Sequence, residues 1–322
     1  MELKWVVQPD PDFKTVSKLS QELDIPEIAA RILASRGVYD SQIASKFLDP
    51  QMSDLFDPFA ISNMDKAVDR VIQALKANEK IMIYGDYDVD GITATALMFL
   101  ILNRLGANVS YYLPNRLIEG YGISEDGLLE AEKRQANLLI SVDCGITAVE
   151  EVAAARNKGI DCIITDHHEP GDKIPIANAI VNAKLDGPGN PGFELSAVGI
   201  AYKFAQALYR KLGQDEFELE QHLDLVALGT SADIVPMIGE NRVLTKFGLQ
   251  QIARTTKPGL KALIFVAGLM GQRIGTGQVV FILAPRINAI GRLGDAQQAI
   301  KLLTTRDESM AHAIAPHPQC RE

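Results

Sequence analysis

From Lys80 onward, short apolar runs alternate with amphipathic stretches in steps of roughly 25 residues, and that alternation restricts the chain more than any other feature. Residues 81–84, 109–113, 138–142 and 162–165 read as strands, with 179–181 as a fifth. Residues 93–105, 124–135 and 148–157 between them read as helices. Strand–helix–strand units of this length pack as a parallel sheet covered by helices, which predicts an α/β fold. Before it, residues 1–78 read as an N-terminal helical lobe: Ile28, Ile32 and Leu33 are spaced like one helix face, and Met64, Val68, Val71, Ile72 and Leu75 like another. After the Gly/Pro-rich crossing at 187–192, the spans 197–212, 219–229, 242–254 and 296–303 are helical in period. The expected organisation is therefore a lobe over 1–78, an α/β domain over 79–235 and a helical segment over 236–322.

Open parallel sheets bind ligands at the carboxyl ends of their strands, so the residues that follow each strand matter most. After the first strand comes Asp86-Tyr87-Asp88-Val89-Asp90-Gly91, after the third Asp143-Cys144-Gly145, and after the fourth Asp166-His167-His168-Glu169. So many carboxylates in one crevice repel one another unless a cation compensates. Carboxylates with one or two imidazoles suit Mn²⁺ or Mg²⁺ ahead of a thiolate zinc site, and there are enough oxygens for two ions sharing a carboxylate. Such a pair of ions activates water and stabilises a leaving oxygen at phosphorus.

Each motif alone has a plainer explanation. Asp86 to Gly91 opens like a calcium loop, but its twelfth position is Leu97 and a strand precedes it. Asp143 could cap a helix near Thr147, and Asp166 could cap a turn carrying two surface histidines. Three polar strand ends in succession make the metal reading the stronger one. Cys144 reads as core packing, since no histidine is placed to activate it.

These motifs resemble those of the DHH phosphoesterase family and, within it, the RecJ-type single-strand-specific exonucleases. Residues 84–95 are similar to the first motif, 141–147 to the second and Asp166-His167-His168 to the third. Residues 196–199 and 228–233 resemble the next two, and 286–294 a segment beyond the shared catalytic domain. The resemblance implies that Asp88 and Asp90 each ligate one metal, that Asp143 bridges the two, and that His167 and Asp233 complete the second site. Asp86 would support the first motif. His168 would lie near the scissile phosphate, either behind the ligands or as a proton donor. The implied reaction is hydrolysis of single-stranded DNA from the 5′ end with two Mn²⁺ or Mg²⁺ ions, releasing 5′-mononucleotides in DNA repair and recombination. A helicase or single-strand-binding protein is an expected partner. Relatives acting on short oligonucleotides, cyclic dinucleotides or pyrophosphate are the alternative within the family, and a non-catalytic scaffold the alternative outside enzymes. RecJ-type proteins continue into a cleft-closing domain and an oligonucleotide-binding barrel. Neither is found in this sequence, so a C-terminally truncated form is expected, with the Pro316-His317-Pro318 break as a further sign.

Arg116 and Arg286 are candidates for phosphate contacts because a guanidinium fork matches phosphate geometry, with a surface charge or carboxylate partner as the alternative. Gly199 opens a helix with small neighbours and could offer amides to an anion, with close helix packing as the equal alternative. A net charge of -9 speaks against a polyanionic partner at first. Its distribution softens this: residues 1–241 hold 21 Lys+Arg against 37 Asp+Glu, and 242–322 hold 11 against 4. No secretory signal is evident at the N-terminus, the apolar run 94–102 is too short to span a bilayer, and 3 cysteines without a CxxC pair suit a reducing compartment. A cytoplasmic protein without membrane contact is expected.

Overall fold

Among the described residues five strands form on short, mostly apolar runs: β1 (Lys80–Gly85), β2 (Asn108–Tyr112), β3 (Leu138–Val142), β4 (Asp161–Thr165) and β5 (Ala179–Val181). They make one all-parallel sheet in the order β2-β1-β3-β4-β5. Every residue of β3 is buried, as a strand covered on both faces requires. The computed structural model describes residues 9–115, 118–292 and 296–315. Arg116, Leu293, Gly294, Pro316, His317, Pro318 and Cys320 lie outside the described residues.

By its internal contacts the chain divides into two units, Met1–Leu55 and Phe56–Glu322. The first contains α1 (Phe13–Leu23), α2 (Glu27–Ser35) and α3 (Ser41–Leu48), with Asp12 and Asp40 accepting backbone amides at the starts of α1 and α3. Its core is Val16, Leu19, Ala30, Leu33, Ala34, Val38 and Ala44. This corrects the expected face of α2: Ile28 and Ile32 are exposed, because small Ala30 and Ala34 allow that side of the helix, with Leu33, to approach α1 closely.

The second unit opens with a 3-10 turn (Pro58–Ala60) and then α4 (Met64–Ala77), which buries Met64, Val68 and Val71 and packs on β5 and α8 (Ala197–Leu212). Between the strands lie α5 (Val89–Arg104), α6 (Glu125–Lys133) and α7 (Val149–Asn157). α5 starts four residues earlier than periodicity suggests, because the Asp88 carboxylate accepts the amide of Gly91 at 3.0 Å and caps it there. α8 has the expected bounds, opened by Ser196 and closed by Gly213 in the left-handed conformation. α9 (Leu223–Ala232) and α10 (Gly239–Ala253) follow, α9 packing on α5. Then come α11 (Pro258–Val266), α12 (Thr276–Gln278), a π-helical turn (Val279–Leu283), α13 (Ala284–Arg292), α14 (Gln297–Thr304) and α15 (Glu308–Ile314). Buried Lys203 of α8 pairs with Glu240 of α10 at 3.0 Å, its ammonium 4.0 Å from the Phe56 ring centroid.

Candidate metal centre

In the sheet register Gly85 stands opposite Val142 and Val142 opposite Thr165. The next residues, Asp86, Asp143 and Asp166, therefore leave three adjacent strands at one level. The chain passes from β1 to β2 on one side and returns to β3 on the other, so the crevice outside β1 and β3 is the topological switch point of the sheet. The strand-end residues singled out from sequence converge there. Asp86, Asp88 and Asp143 form one group whose nearest ligand atoms lie within 4.8 Å of one another; Asp90, His167 and Asp233 form a second; Asp143, His167 and His168 a third.

Asp143 and His167 join these groups. His167 Nε2 is 3.2 Å from Asp143 Oδ1 and 3.7 Å from Asp233 Oδ2. Yet Asp143 Oδ1, His167 Nε2 and Asp86 Oδ1 are all buried with no hydrogen-bond partner, although buried polar atoms normally have one. Burial, with Asp88 second, pushes Asp86 up to about 7, and burial followed by Asp88 pushes Asp233 up to about 6. Asp90 and Asp143 are raised well above the carboxylate range, by burial first and then by neighbouring aspartates. Burial and the neighbouring His168 drive His167 down to about 4, so its ring is neutral at pH 7 and able to ligate. Orphaned oxygens and an imidazole nitrogen facing one another in a set of mutually repelling carboxylates fit divalent cations of the Mn²⁺ or Mg²⁺ type.

Asp143 has φ +64, a conformation uncommon for any residue with a side chain. The bend turns the chain immediately after β3, and Ser141 Oγ donates to the Cys144 carbonyl at 2.8 Å across it. Cys144 follows β3, as its place in the sequence leads one to expect. Its buried thiol is raised well above its usual range by burial first, which agrees with a core role.

Asp166 stands in one of the sequence motifs, but sequence reasoning gives it no task. The structure gives it four hydrogen bonds. Oδ1 accepts the amides of His167 (2.8 Å) and His168 (3.1 Å) and lies 2.7 Å from His168 Nδ1, while Oδ2 accepts the amide of Ile146 at 2.9 Å. Burial pulls this carboxyl upward, but the hydrogen bond and charge of His168, with the Ile146 and His168 amides, hold it below its usual value. His168 is raised in turn, first by that bond and against burial. Tyr121, also unassigned from sequence, donates to the Asp143 carbonyl at 3.2 Å and has its hydroxyl 3.1 Å from His168 Nδ1. Its loop is fixed by Tyr84 of β1, whose hydroxyl donates to the Gly122 carbonyl and accepts the Ser124 amide, each at 3.0 Å.

Asp90, in the first turn of α5, reaches another element. Its two oxygens accept the amides of Ala197 (2.7 Å) and Val198 (3.0 Å), the first residues of α8. With the Gly199 amide donating to Ser196 Oγ at 3.2 Å, the opening of α8 is already satisfied within the chain. Gly199 is buried, and a Cβ there would stand 3.1 Å from Leu195, so close packing is the role the geometry favours over anion binding. Arg286 Nη1 donates to the Ile282 carbonyl, in the π-helical turn that precedes α13, at 2.8 Å. Arg116 falls outside the described residues.

Gly229 of α9 is what lets Asp90 sit where it does. A Cβ would come 2.3 Å from Thr93 Oγ1 and 2.6 Å from Asp90 Oδ1. Gly229→Ala is expected to destabilise the chain by about 1–3 kcal/mol, the usual cost of overpacking, and to weaken Mn²⁺ binding by displacing Asp90. Melting curves with and without Mn²⁺ check this, and unchanged metal-induced stabilisation would show that Asp90 is not displaced.

Residues 80–230 match the DHH family, N-terminal domain. The chain is 43% identical over 313 residues to the single-stranded-DNA-specific exonuclease RecJ of Bacillus subtilis (strain 168), covering 97% of this chain and 39% of that protein. It is 38% identical over 303 residues to RecJ of Escherichia coli (strain K12), covering 91% of this chain and 52% of the other. Among solved structures it superimposes on RecJ of Thermus thermophilus in complex with Mn²⁺ with a TM-score of 0.81 at 32% identity, over 97% of this chain and 44% of that one. An exonuclease RecJ bound to manganese matches with a TM-score of 0.74 at 35% identity, over 81% of this chain and 66% of that one. The chain thus spans 39% to 52% of the length of the Bacillus and Escherichia RecJ proteins.

Proposed function

The chain belongs to the DHH family, and from that premise we propose that it hydrolyses phosphodiester bonds in single-stranded DNA from the 5′ end, using two Mn²⁺ or Mg²⁺ ions and releasing 5′-mononucleotides. The observation that carries this reading is the meeting of Asp86, Asp143 and His167 with ligand atoms buried and unpaired at the switch point of the sheet. The single-strand substrate is supported by the names of the RecJ relatives. The 5′ end comes from the motif resemblance.

In this proposal Asp88, Asp90, Asp143, His167 and Asp233 hold the ions, with Asp86 behind the first motif. When bound, the ions lower the pKa of a water and offset charge developing on the phosphoryl oxygens. The protein's own part is positional and protonic. Asp166 locks His168 through Nδ1, and its charge favours the protonated ring, leaving a proton at Nε2 for the departing 3′-oxygen. Tyr121 donates to the Asp143 carbonyl and packs edge-on against the His168 ring, with centroids 5.7 Å apart, so the acid and the metal ligand keep a fixed relation.

We place the reaction in the cytoplasm, in DNA repair and recombination, where a helicase or single-strand-binding protein would present the strand. Among the described residues no helix is long and apolar enough to cross a membrane.

The test is a time course on 5′-phosphorylated, 3′-labelled single-stranded DNA with Mn²⁺, beside the matching duplex and a chelated sample. Mononucleotides are expected from the single strand alone, and none after chelation. Equal attack on the duplex, release from the 3′ end, or no release by folded, metal-loaded protein would each overturn the proposal.

A further inference from the structure

Asp233 ends α9, and the residue after it, Ile234, has φ +59. Among the described residues five other non-glycine residues have positive φ, and all five are aspartate, asparagine or glutamine: Asp24, Asn63, Asn78, Gln135 and Asp143. Asp24 and Asn78 close helices in this conformation, as short polar residues do at modest cost. Ile234, one residue past the cap of α9, takes this backbone with a β-branched side chain, which is the costly choice. Burial does not repay that cost, since Ile234 is 78% exposed. A strained, largely exposed residue next to a proposed ligand points to a contact made outside the chain.

Its place narrows the contact. Asp233 Oδ2 is 3.7 Å from His167 Nε2, at the centre of the site. Ile234 follows one peptide unit later, about 3.8 Å along the chain between Cα atoms. In a nucleic-acid strand the nearest apolar surface to a phosphate is the flanking sugar, with the base farther away. An isoleucine against the sugar has no partner for a 2′-hydroxyl, so a ribose there would lose hydration without gaining a hydrogen bond. We propose that Ile234 is a specificity residue that packs against the sugar beside the scissile phosphate and favours deoxyribose strands over ribose strands. The inference rests on the nuclease reading above and adds to it the sugar that the site selects.

Single-stranded DNA and RNA of one base sequence would be compared as substrates with Mn²⁺ for the native chain and for Ile234→Gly, Ile234→Asn and Ile234→Val, with a melting curve for each. Gly and Asn suit the left-handed backbone, so both should melt higher than the native chain. Both should also lower the DNA-to-RNA ratio of kcat/KM by about tenfold, within the range that an apolar surface gives against an added hydroxyl. Val, which keeps the branched apolar surface, should retain the ratio. An unchanged ratio in Gly and Asn, with both melting higher, would overturn the proposal and leave Ile234 as a helix stop. Equal loss of the ratio in Val would overturn it too. No hydrolysis of either strand by the folded, metal-loaded native chain would instead sink the nuclease reading, and this proposal with it.

Discussion

Asp143→Asn should cut turnover by about three orders of magnitude and at the same time make the metal-free chain harder to melt. Asparagine tolerates the φ +64 backbone at this position, so the turn after β3 can survive the exchange. What disappears is a carboxyl whose ionisation is opposed by burial first and then by Asp90, Asp88 and Asp86. Losing the proposed shared ligand removes about 4 kcal/mol of transition-state stabilisation, which at about 1.4 kcal/mol per tenfold gives the stated loss. Relief of the same repulsion stabilises the fold when no cation is present. Single-turnover rates on labelled single-stranded DNA, beside melting curves in chelator, measure both halves. A variant that keeps turnover within tenfold would remove Asp143 from the centre of the mechanism. A variant that loses turnover but melts lower without metal would mean that its charge is compensated inside the chain.

Stability of the metal-free chain should fall as pH rises from about 5 to about 8, and Mn²⁺ should reverse the fall. Asp86 and Asp233 release their protons near 7 and near 6 in the folded chain, and Asp90 and Asp143 are also raised. Glu240, raised to about 7 by burial, adds to them. The unfolded chain has already lost these protons near pH 4. The folded state therefore binds more protons across the window, and stability declines as pH rises through the folded values. His167 and His222 oppose the trend, since burial lowers them to about 4 and about 3. They are two groups against five, and their opposition ends once the unfolded histidines deprotonate near pH 6.5. Cations binding the ionised site add about 2.7 kcal/mol at a hundredfold excess over Kd. The metal-induced rise in Tm should therefore be larger at about pH 8 than at about pH 5. A flat metal-free profile, or an equal rise at both ends, would show that the carboxylates are not held apart from water as their burial implies.

The sequence was legible where one period or one motif dominated. The five strands were readable because each is a compact apolar run, and the three polar strand ends because parallel register carries them to one level. Asp166 was not, because its work is done by hydrogen bonds to Ile146, twenty residues back, and to two residues beside it. A helix-capping aspartate would look the same in sequence. Tyr121 was hidden for a similar reason, as its loop is placed by Tyr84 on a strand far away in the chain. The outward turn of Ile28 and Ile32 escaped because helical spacing marks a face without saying which face meets a partner. α11 has no strong apolar–polar contrast, and the π-helical turn at Val279–Leu283 has no period of its own to read.

The bonds from Asp90 to Ala197 and Val198 bear on how such a site can decay. A lineage that no longer needs the chemistry could drop Asp88 or His167 and lose only a cap or a side chain facing the crevice. Asp90 is different: without it the start of α8 keeps two buried amides with nothing to accept them. Its loss would be felt by the fold before selection on activity had any say. Inactive descendants of this architecture should therefore retain this aspartate, or an equivalent acceptor, after the other ligands have drifted away. An alignment of such descendants in which it vanishes as often as Asp88 would show that the helix has found another anchor.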